Sequence, residues 1–409
     1  MAGHDRKKQV RSANVGRRLL VGMGAGAGVF FAAAAMATGS AAPAKADFED
    51  LLDPIIQPIL TSLTDSIGAF DPAAAVDLTS WTDSFLASLN SIDLAAPAAS
   101  EPAASAAAST TISSETGDIP LTVQEGTEPT VDVSVDGSTP AATLVDTGSS
   151  GLLVPINNLS LTQLIDLGFP TGINSTSFSG GVDVFYLEYN DATVDYGDGA
   201  GALSTTNTPI DVEFFSFPTS LSAGSPLDFQ QFLTDDDSPG GILGIGDSGE
   251  TGPGTSPFEA AGVSGVTVDV TPNTDTGELV VGPNAGTPIE PALDGGATPL
   301  SNLTETVTTS TGTLVGTATV SDDVDSGGVF GNIPSSIDSS TLANGDVVTV
   351  SDDGTTLYSY TVEDNGLDDA PTVVSGTSID SGFAPFSNEP IFISYGGTDG
   401  AITFDKPLS

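Results

Sequence analysis

Two patterns of apolar residues divide the chain. Between Phe48 and about Leu94, large apolar side chains recur three and four positions apart: Leu51, Leu52, Ile55, Ile56, Ile59, Leu60 and Leu63, then Leu78, Trp81, Phe85 and Leu89. That spacing predicts helices over 47–94, the first limited by Pro54 and Pro58, which lack the donor a helix interior needs. Residues 95–117 are Ala, Ser, Pro and Thr with almost no large apolar side chain, which predicts a linker. From 118 onward β-branched residues come in short runs, such as Leu121-Thr122-Val123, Val131-Asp132-Val133-Ser134-Val135 and Gly316-Thr317-Ala318-Thr319-Val320, divided by Asp-Gly, Gly-Gly, Asn-Gly and Pro. Many short strands without a long helical period predict an all-β domain.

The first 46 residues follow another pattern. A Lys- and Arg-rich start, an apolar run from Leu19 to about Met36 and the small-residue site Ala44-Lys45-Ala46 predict a signal peptide, hence a secreted or cell-envelope location. Arg17-Arg18-Leu19-Leu20 has a feature of the twin-arginine route, without deciding between it and general export. The amphipathic 47–94 segment is too short to bury a core alone. It is expected to pack on the main domain, on itself in an oligomer, or on a cell-envelope partner, and whether 47–117 is removed on maturation stays open.

Charge narrows the chemistry. Seven of the eight basic residues and the single His4 lie within the first 45 positions, so a product cut after Ala46 keeps only Lys406 against 53 acidic residues, a formal charge of −52. Such a surface repels phosphate backbones, which excludes nucleic acid as a partner. Without His or Cys it has no Ser-His-Asp triad, no thiolate and no zinc held by imidazole or sulfur. An enzyme of this composition works with carboxylates and is expected to need no metal or cofactor. The acidic pairs and triplets, Asp235-Asp236-Asp237, Asp322-Asp323, Asp352-Asp353 and Asp368-Asp369, lack EF-hand spacing and are read as solvated loop charge. Mutual repulsion among so many carboxylates predicts a protein favoured by acid.

Two segments stand out as sites. Asp146-Thr147-Gly148-Ser149-Ser150-Gly151-Leu152-Leu153-Val154-Pro155 follows a predicted strand, Ala141 to Val145, which puts Asp146 in a tight loop against a core. In that loop Gly148 is expected to permit the turn, and the Thr147 and Ser149 hydroxyls to bond within it. A second loop, Asp325-Ser326-Gly327-Gly328-Val329-Phe330, lies 179 residues further on and reaches Pro334 at the same distance as the first reaches Pro155. One Asp-Thr-Gly would be an ordinary turn in a chain this rich in Asp and Gly. Two with apolar flanks point to a pair.

These motifs resemble those of the pepsin-like aspartic peptidases, in particular the mycobacterial surface aspartic peptidases that occur attached to PE domains. Asp146 to Pro155 is similar to the first active-site motif and Asp325 to Ile337 to the second. Gly240-Gly241-Ile242-Leu243-Gly244-Ile245-Gly246 resembles the element that crosses beneath the first catalytic loop, and Ile379-Asp380-Ser381-Gly382-Phe383-Ala384-Pro385-Phe386 the closing element of the second lobe. The resemblance implies an all-β, bilobal fold with the active site between an N-terminal lobe, 118–255, and a C-terminal lobe, 256–409. It implies catalytic Asp146 and Asp325, supported by Thr147, Gly148, Ser149, Ser326 and Gly327, and a protein or peptide substrate. Family members also close a hairpin flap carrying a Tyr. Tyr196-Gly197-Asp198-Gly199 has the family wording and Tyr189 a suitable distance from Asp146, and the sequence does not choose between them. Gly328 stands where the second motif usually carries a hydroxyl residue, so the bond Ser149 should give Asp146 lacks an evident counterpart. Prosegments of this family usually bring basic residues to the carboxylates, and 47–94 has none. The alternative from another class is a catalytically silent, β-rich surface or calcium-stabilised module.

Overall fold

In the computed structural model the described residues are 109–407, apart from 180, 198–202, 220–225, 236, 248–251, 273, 294–298, 338–341, 363–369 and 397–399. The expected signal peptide, the 47–94 helices, linker residues 95–108 and Asp198, Gly199, Asp236, Asp368 and Asp369 lie outside them. Twenty strands among the described residues carry the fold. The first nine are β1 (Thr111–Ile112), β2 (Gly117–Gln124), β3 (Glu128–Val135), β4 (Ala141–Asp146), β5 (Ser150–Pro155), β6 (Gly172–Phe178), β7 (Val182–Tyr196), β8 (Leu203–Pro218) and β9 (Gly241–Ile245). After them come β10 (Gly265–Val270), β11 (Thr276–Val281), β12 (Leu300–Thr308), β13 (Leu314–Asp323), β14 (Asn332–Pro334), β15 (Val347–Asp352) and β16 (Thr355–Thr361). The last four are β17 (Thr372–Val374), β18 (Ser378–Asp380), β19 (Ile391–Ser394) and β20 (Ala401–Phe404). The α-helices among the described residues are short, Leu161–Asp166, Phe229–Asp235 and Pro257–Ala260, so the domain is all-β, as the residue pattern predicts.

One sheet of 13 strands runs β20-β19-β10-β11-β2-β3-β4-β9-β5-β8-β7-β6, with β1 added on β8. Strands from both sides of residue 255 share it, because β10, β11, β19 and β20 join β2. The end of the stretch read as linker is not free of structure: Thr111 and Ile112 pair with Thr206 and Thr205. A second sheet runs β16-β15-β12-β13-β18, and β14 pairs with β17.

Burial explains the sequence pattern strand by strand. β2 alternates, with Ile119, Leu121 and Val123 buried and Asp118, Pro120 and Thr122 exposed, as a sheet with one wet face requires. β5 and β9 are buried at every residue, and after Ser150 accordingly read as unbroken runs of apolar residues and Gly. The β3–β4 connection begins at Asp136 and Gly137, both with positive φ (47° and 72°), the backbone an Asp-Gly turn supplies. Around the aspartate loops a single apolar cluster takes in Val145 and Leu243 from the first sheet with Val350 and Ile379 from the second and Val324 just after β13. The two loops therefore stand on a shared core.

Candidate active site

Asp146 is the last residue of β4. The chain turns over Thr147–Ser149 and returns as β5, and β9 threads between the two strands, parallel to β4 and antiparallel to β5. Gly244 opposes both Asp146 and Gly151 in register. A Cβ on Gly244 would sit 2.7 Å from the Ser150 backbone, so only Gly lets the crossing strand lie this close. The second loop repeats the design. β13 leads into Asp325, β18 runs parallel to β13 with Asp323 opposite Asp380, and Gly382 packs beneath the loop, where a Cβ would meet the Gly331 nitrogen at 2.4 Å and the Val329 oxygen at 2.7 Å. The elements that the resemblance implied would cross under each aspartate lie there.

Four hydrogen bonds lock the loops together in reciprocal pairs. Thr147 Oγ1 donates to the Val324 carbonyl (2.7 Å) and accepts from the Ser326 backbone N–H (2.8 Å). Ser326 Oγ donates to the Val145 carbonyl (2.7 Å) and accepts from the Thr147 N–H (3.1 Å). Thr147 and Ser326 are both buried, so losing either hydroxyl strands backbone groups away from water. Thr147 was expected to bond within its own loop; instead it and Ser326 bond across, since each loop points its second residue at the other's entering strand.

The carboxyls consequently face each other. Asp146 Oδ1 accepts from the Gly148 N–H (2.9 Å) and Oδ2 from the Ser149 hydroxyl, while Asp325 Oδ1 accepts from the Gly327 N–H (2.8 Å). A Cβ on Gly148 would lie 2.5 Å from Asp325 Cγ, and one on Gly327 2.8 Å from Asp146 Oδ1. This corrects the expectation for Gly148. It does not adopt a positive φ; it is Gly because the opposing carboxyl occupies the space of a side chain.

Burial, then the Asp146 charge, and then Asp380 and Asp323, push the Asp325 carboxyl well above the usual carboxylate range. Burial, followed by Asp146, raises Asp323 to about 6. Asp380 rises to about 7 through burial, opposed by the bond from the Gly382 N–H and reinforced by Asp323 and Asp146. Four carboxyls thus share one region. The sequence motifs pointed to Asp146 and Asp325, with Asp380 noted only as part of the closing element that also carries an Asp-Ser-Gly, whereas Asp323 enters only through the β13–β18 register. Ser381 was missed as well; its hydroxyl accepts from the Asp325 N–H (3.2 Å). The Asp-Ser-Gly triplet at 380–382 was the available signal. Asp322-Asp323 is also corrected from solvated loop to strand end: Asp322 is fully buried and accepts from the Tyr358 hydroxyl (2.6 Å).

Both candidate flap tyrosines lie on β7. Tyr196, its last residue, is buried with its ring 4.8 Å from Phe258 and its hydroxyl 3.2 Å from Thr205 Oγ1. Tyr189 is buried mid-strand, opposite Ile210. Each ring belongs to the core of the first sheet, and Tyr196 is the one next to the turn of the β7–β8 hairpin.

Comparison with known proteins bears on what this arrangement does. The family described as PE-PGRS C-terminal aspartyl peptidase-like domain matches residues 117–403. "PE cleavage protein A" of Mycobacterium tuberculosis is 34% identical over 306 residues, covering 71% of this chain and 52% of that protein. The Mycobacterium marinum protein of the same name is 34% identical over 314 residues with the same coverage. The chain spans about half the length of these curated relatives. A crystal structure of an aspartic proteinase from Irpex lacteus aligns with a TM-score of 0.46 and 16% identity, over 71% of this chain and 97% of that one.

Proposed function

Because the chain belongs to the family of PE-PGRS C-terminal aspartyl peptidase-like domains, we propose that it is an aspartic endopeptidase in which Asp146 and Asp325 form the catalytic pair. The observation that carries this reading is the mutual approach of the two carboxyls, each lying against the Gly of the opposite loop. Carboxyls so placed resist ionising together, so the pair holds one proton over a wide range of acidity. The ionised member takes a proton from a water between them, and that water attacks the peptide carbonyl. The protonated member donates to the oxygen as charge develops there and afterwards to the leaving nitrogen. The pair titrates as a unit, so neither aspartate is assigned the acid or base role alone.

Thr147 and Ser326 hold the loops in register, and Gly148 and Gly327 admit the opposing carboxyls. The β7–β8 hairpin is the candidate flap, with Tyr196 beside its turn. The substrate is a protein or peptide; the relatives' name makes PE-bearing proteins the first to try. Export through residues 1–46, association with the cell envelope through 47–94 and a preference for acid are further parts of the proposal, supported by the sequence pattern and by the raised carboxyls around the pair.

The test is hydrolysis of a denatured protein by the full chain and by Asp146→Asn and Asp325→Asn. Both variants should stay folded and lose on the order of 10⁴-fold in turnover, as members of one functional unit do, and pepstatin should block the parent. Hydrolysis that survives pepstatin and both substitutions, but stops with a metal chelator, would refute the reading.

A further inference from the structure

The two loops differ at one position. Ser149, three residues after Asp146, donates its hydroxyl to Asp146 Oδ2. The residue three after Asp325 is Gly328, which has no hydroxyl. The space is nevertheless filled: a Cβ on Gly328 would lie 2.2 Å from Asp380 Oδ1 and 2.8 Å from its Cγ and Oδ2. The carboxyl of Asp380 occupies the volume that a side chain at 328 would take, so a larger residue at 328 requires that carboxyl to move.

Asp380 is fixed there by its strand. β18 holds it opposite Asp323 on β13, the strand that delivers Asp325. Its Oδ1 accepts from the Gly382 N–H (2.8 Å) and its backbone N–H donates to Asn332 Oδ1 (3.3 Å). With Oδ1 engaged as an acceptor, Oδ2 is the atom left to carry a proton. The titratable groups around it are Asp322 and Asp323 from β13, Asp325 from its own loop, Asp146 from the first loop and Tyr360 from β16. None is a cation, and Lys406, the only basic residue among those described, is not one of them.

We propose that Asp380 is a positioning residue for Asp325, and that its protonated carboxyl supplies from β18 the hydroxyl donor that Gly328 cannot. The proposal rests on the aspartic peptidase reading. An ionised Asp380 has no proton to donate and adds negative charge beside a pair that already carries one. Activity therefore fails as Asp380 ionises, near its value of about 7, which ties the alkaline limb of the activity profile to this residue.

The experiment compares Asp380→Asn, Asp380→Ala and the double variant Asp380→Ala with Gly328→Ser, measuring kcat, KM, pH profile and thermal midpoint in the full chain. Asp380→Asn keeps a donor at every pH, so its kcat should stay within about threefold of the parent while its alkaline limb moves upward; Asp380→Ala should lose roughly tenfold or more in kcat with KM little changed, the scale of one hydrogen bond to a charged group. Adding Gly328→Ser should restore most of that loss, because the serine then has both the room and the hydroxyl that Ser149 shows in the first loop. If Asp380→Ala keeps the parental kcat and pH profile, or if the three variants lose activity only in step with their thermal midpoints and the serine restores nothing, the proposal is overturned. Carboxyl ¹³C NMR of aspartate-labelled protein gives a readout that does not need turnover. The Asp380 signal should titrate near neutrality and carry the Asp325 signal with it in the same step. An Asp325 signal indifferent to Asp380→Ala overturns the positioning role, whereas a parent without turnover beside coupled signals removes the peptidase reading alone.

Discussion

Asp146 and Asp325 end similar strands, lie over similar crossing elements and receive the same backbone N–H bond from the residue two positions on, but different stretches of chain complete their support. Asp146 gets its second donor, Ser149, from its own loop. Around Asp325 the partners come from more than fifty residues away: Ser381 accepts from its N–H (3.2 Å), and Asp380 fills the place of the missing side chain at 328. Both carboxyls take an N–H from their own loop, but only Asp146 has a hydroxyl donor there, and the further surroundings of Asp325 come by tertiary contact. Local support survives small shifts of the sheet, because loop and hydroxyl move together. Remote support depends on the β13–β18 register, which a change anywhere in that pairing can disturb.

Among changes that leave both aspartates in place, the largest effect should come from forcing the two loops apart. Gly148→Ala puts a methyl 2.5 Å from Asp325 Cγ, and Gly327→Ala puts one 2.8 Å from Asp146 Oδ1. Each should cut turnover by about 10² or more, the scale expected when reacting groups are misplaced by an ångström, while circular dichroism shows the sheets intact. An equal and small effect of both would show that the carboxyls need not approach closely, and would undo the comparison from its base.

Next in size is the local donor. Ser149→Ala removes the hydroxyl from Asp146 and should lower kcat by about tenfold, as for a bond to a charged group. Unlike Asp380→Ala, it should leave the alkaline limb of the profile in place, since no titrating group is lost. A matching shift in both variants would mean that the two supports are not of different kinds.

The smallest effect on activity, though a clear one on stability, concerns the second sheet. Burial raises Glu305 to about 8 and pushes Asp322 well above its ordinary range, and among the first-sheet residues Asp211 rises to about 8, burial again leading and Glu188 adding to it. A carboxyl whose folded value is raised binds more protons in the folded state, so its contribution is present below the unfolded value of about 4 and is lost as pH rises toward the folded one. The thermal midpoint should therefore fall from about pH 4 to about pH 8. Glu305→Gln abolishes one such buried charge. It should lift the midpoint at the alkaline end by a few degrees and change it little at the acid end. A variant less stable at both ends would show that Glu305 is retained for its bonds and not tolerated as a charge.

Much of this was legible in the sequence, for reasons that differ by element. The all-β class follows from the short β-branched runs and Asp-Gly turns, and β5 and β9 were visible because a strand buried on both faces has no reason to alternate. The aspartate loops were legible as two Asp-led motifs with apolar flanks, and the Gly-rich crossing element at 240–246 through the family resemblance; the structure adds that close backbone approach admits only Gly at 244. The sharing of one large sheet by strands from both sides of residue 255 was not legible. A strand pattern states which face is buried, but not which distant strand lies alongside.

By itself, then, the sequence determined the class of fold, the two aspartate loops as the candidate pair and the lack of any thiolate, because residue type and local spacing suffice for those. Only the tertiary structure decided why Gly148 is Gly, that Thr147 and Ser326 bond across the loops, and that Asp322 is buried while Asp380 stands in for a side chain at 328. Each of these is a statement about what fills the space beside a residue, and that space is bounded by chain from the other half of the domain, as Asp325 bounds Gly148 and β18 bounds Gly328.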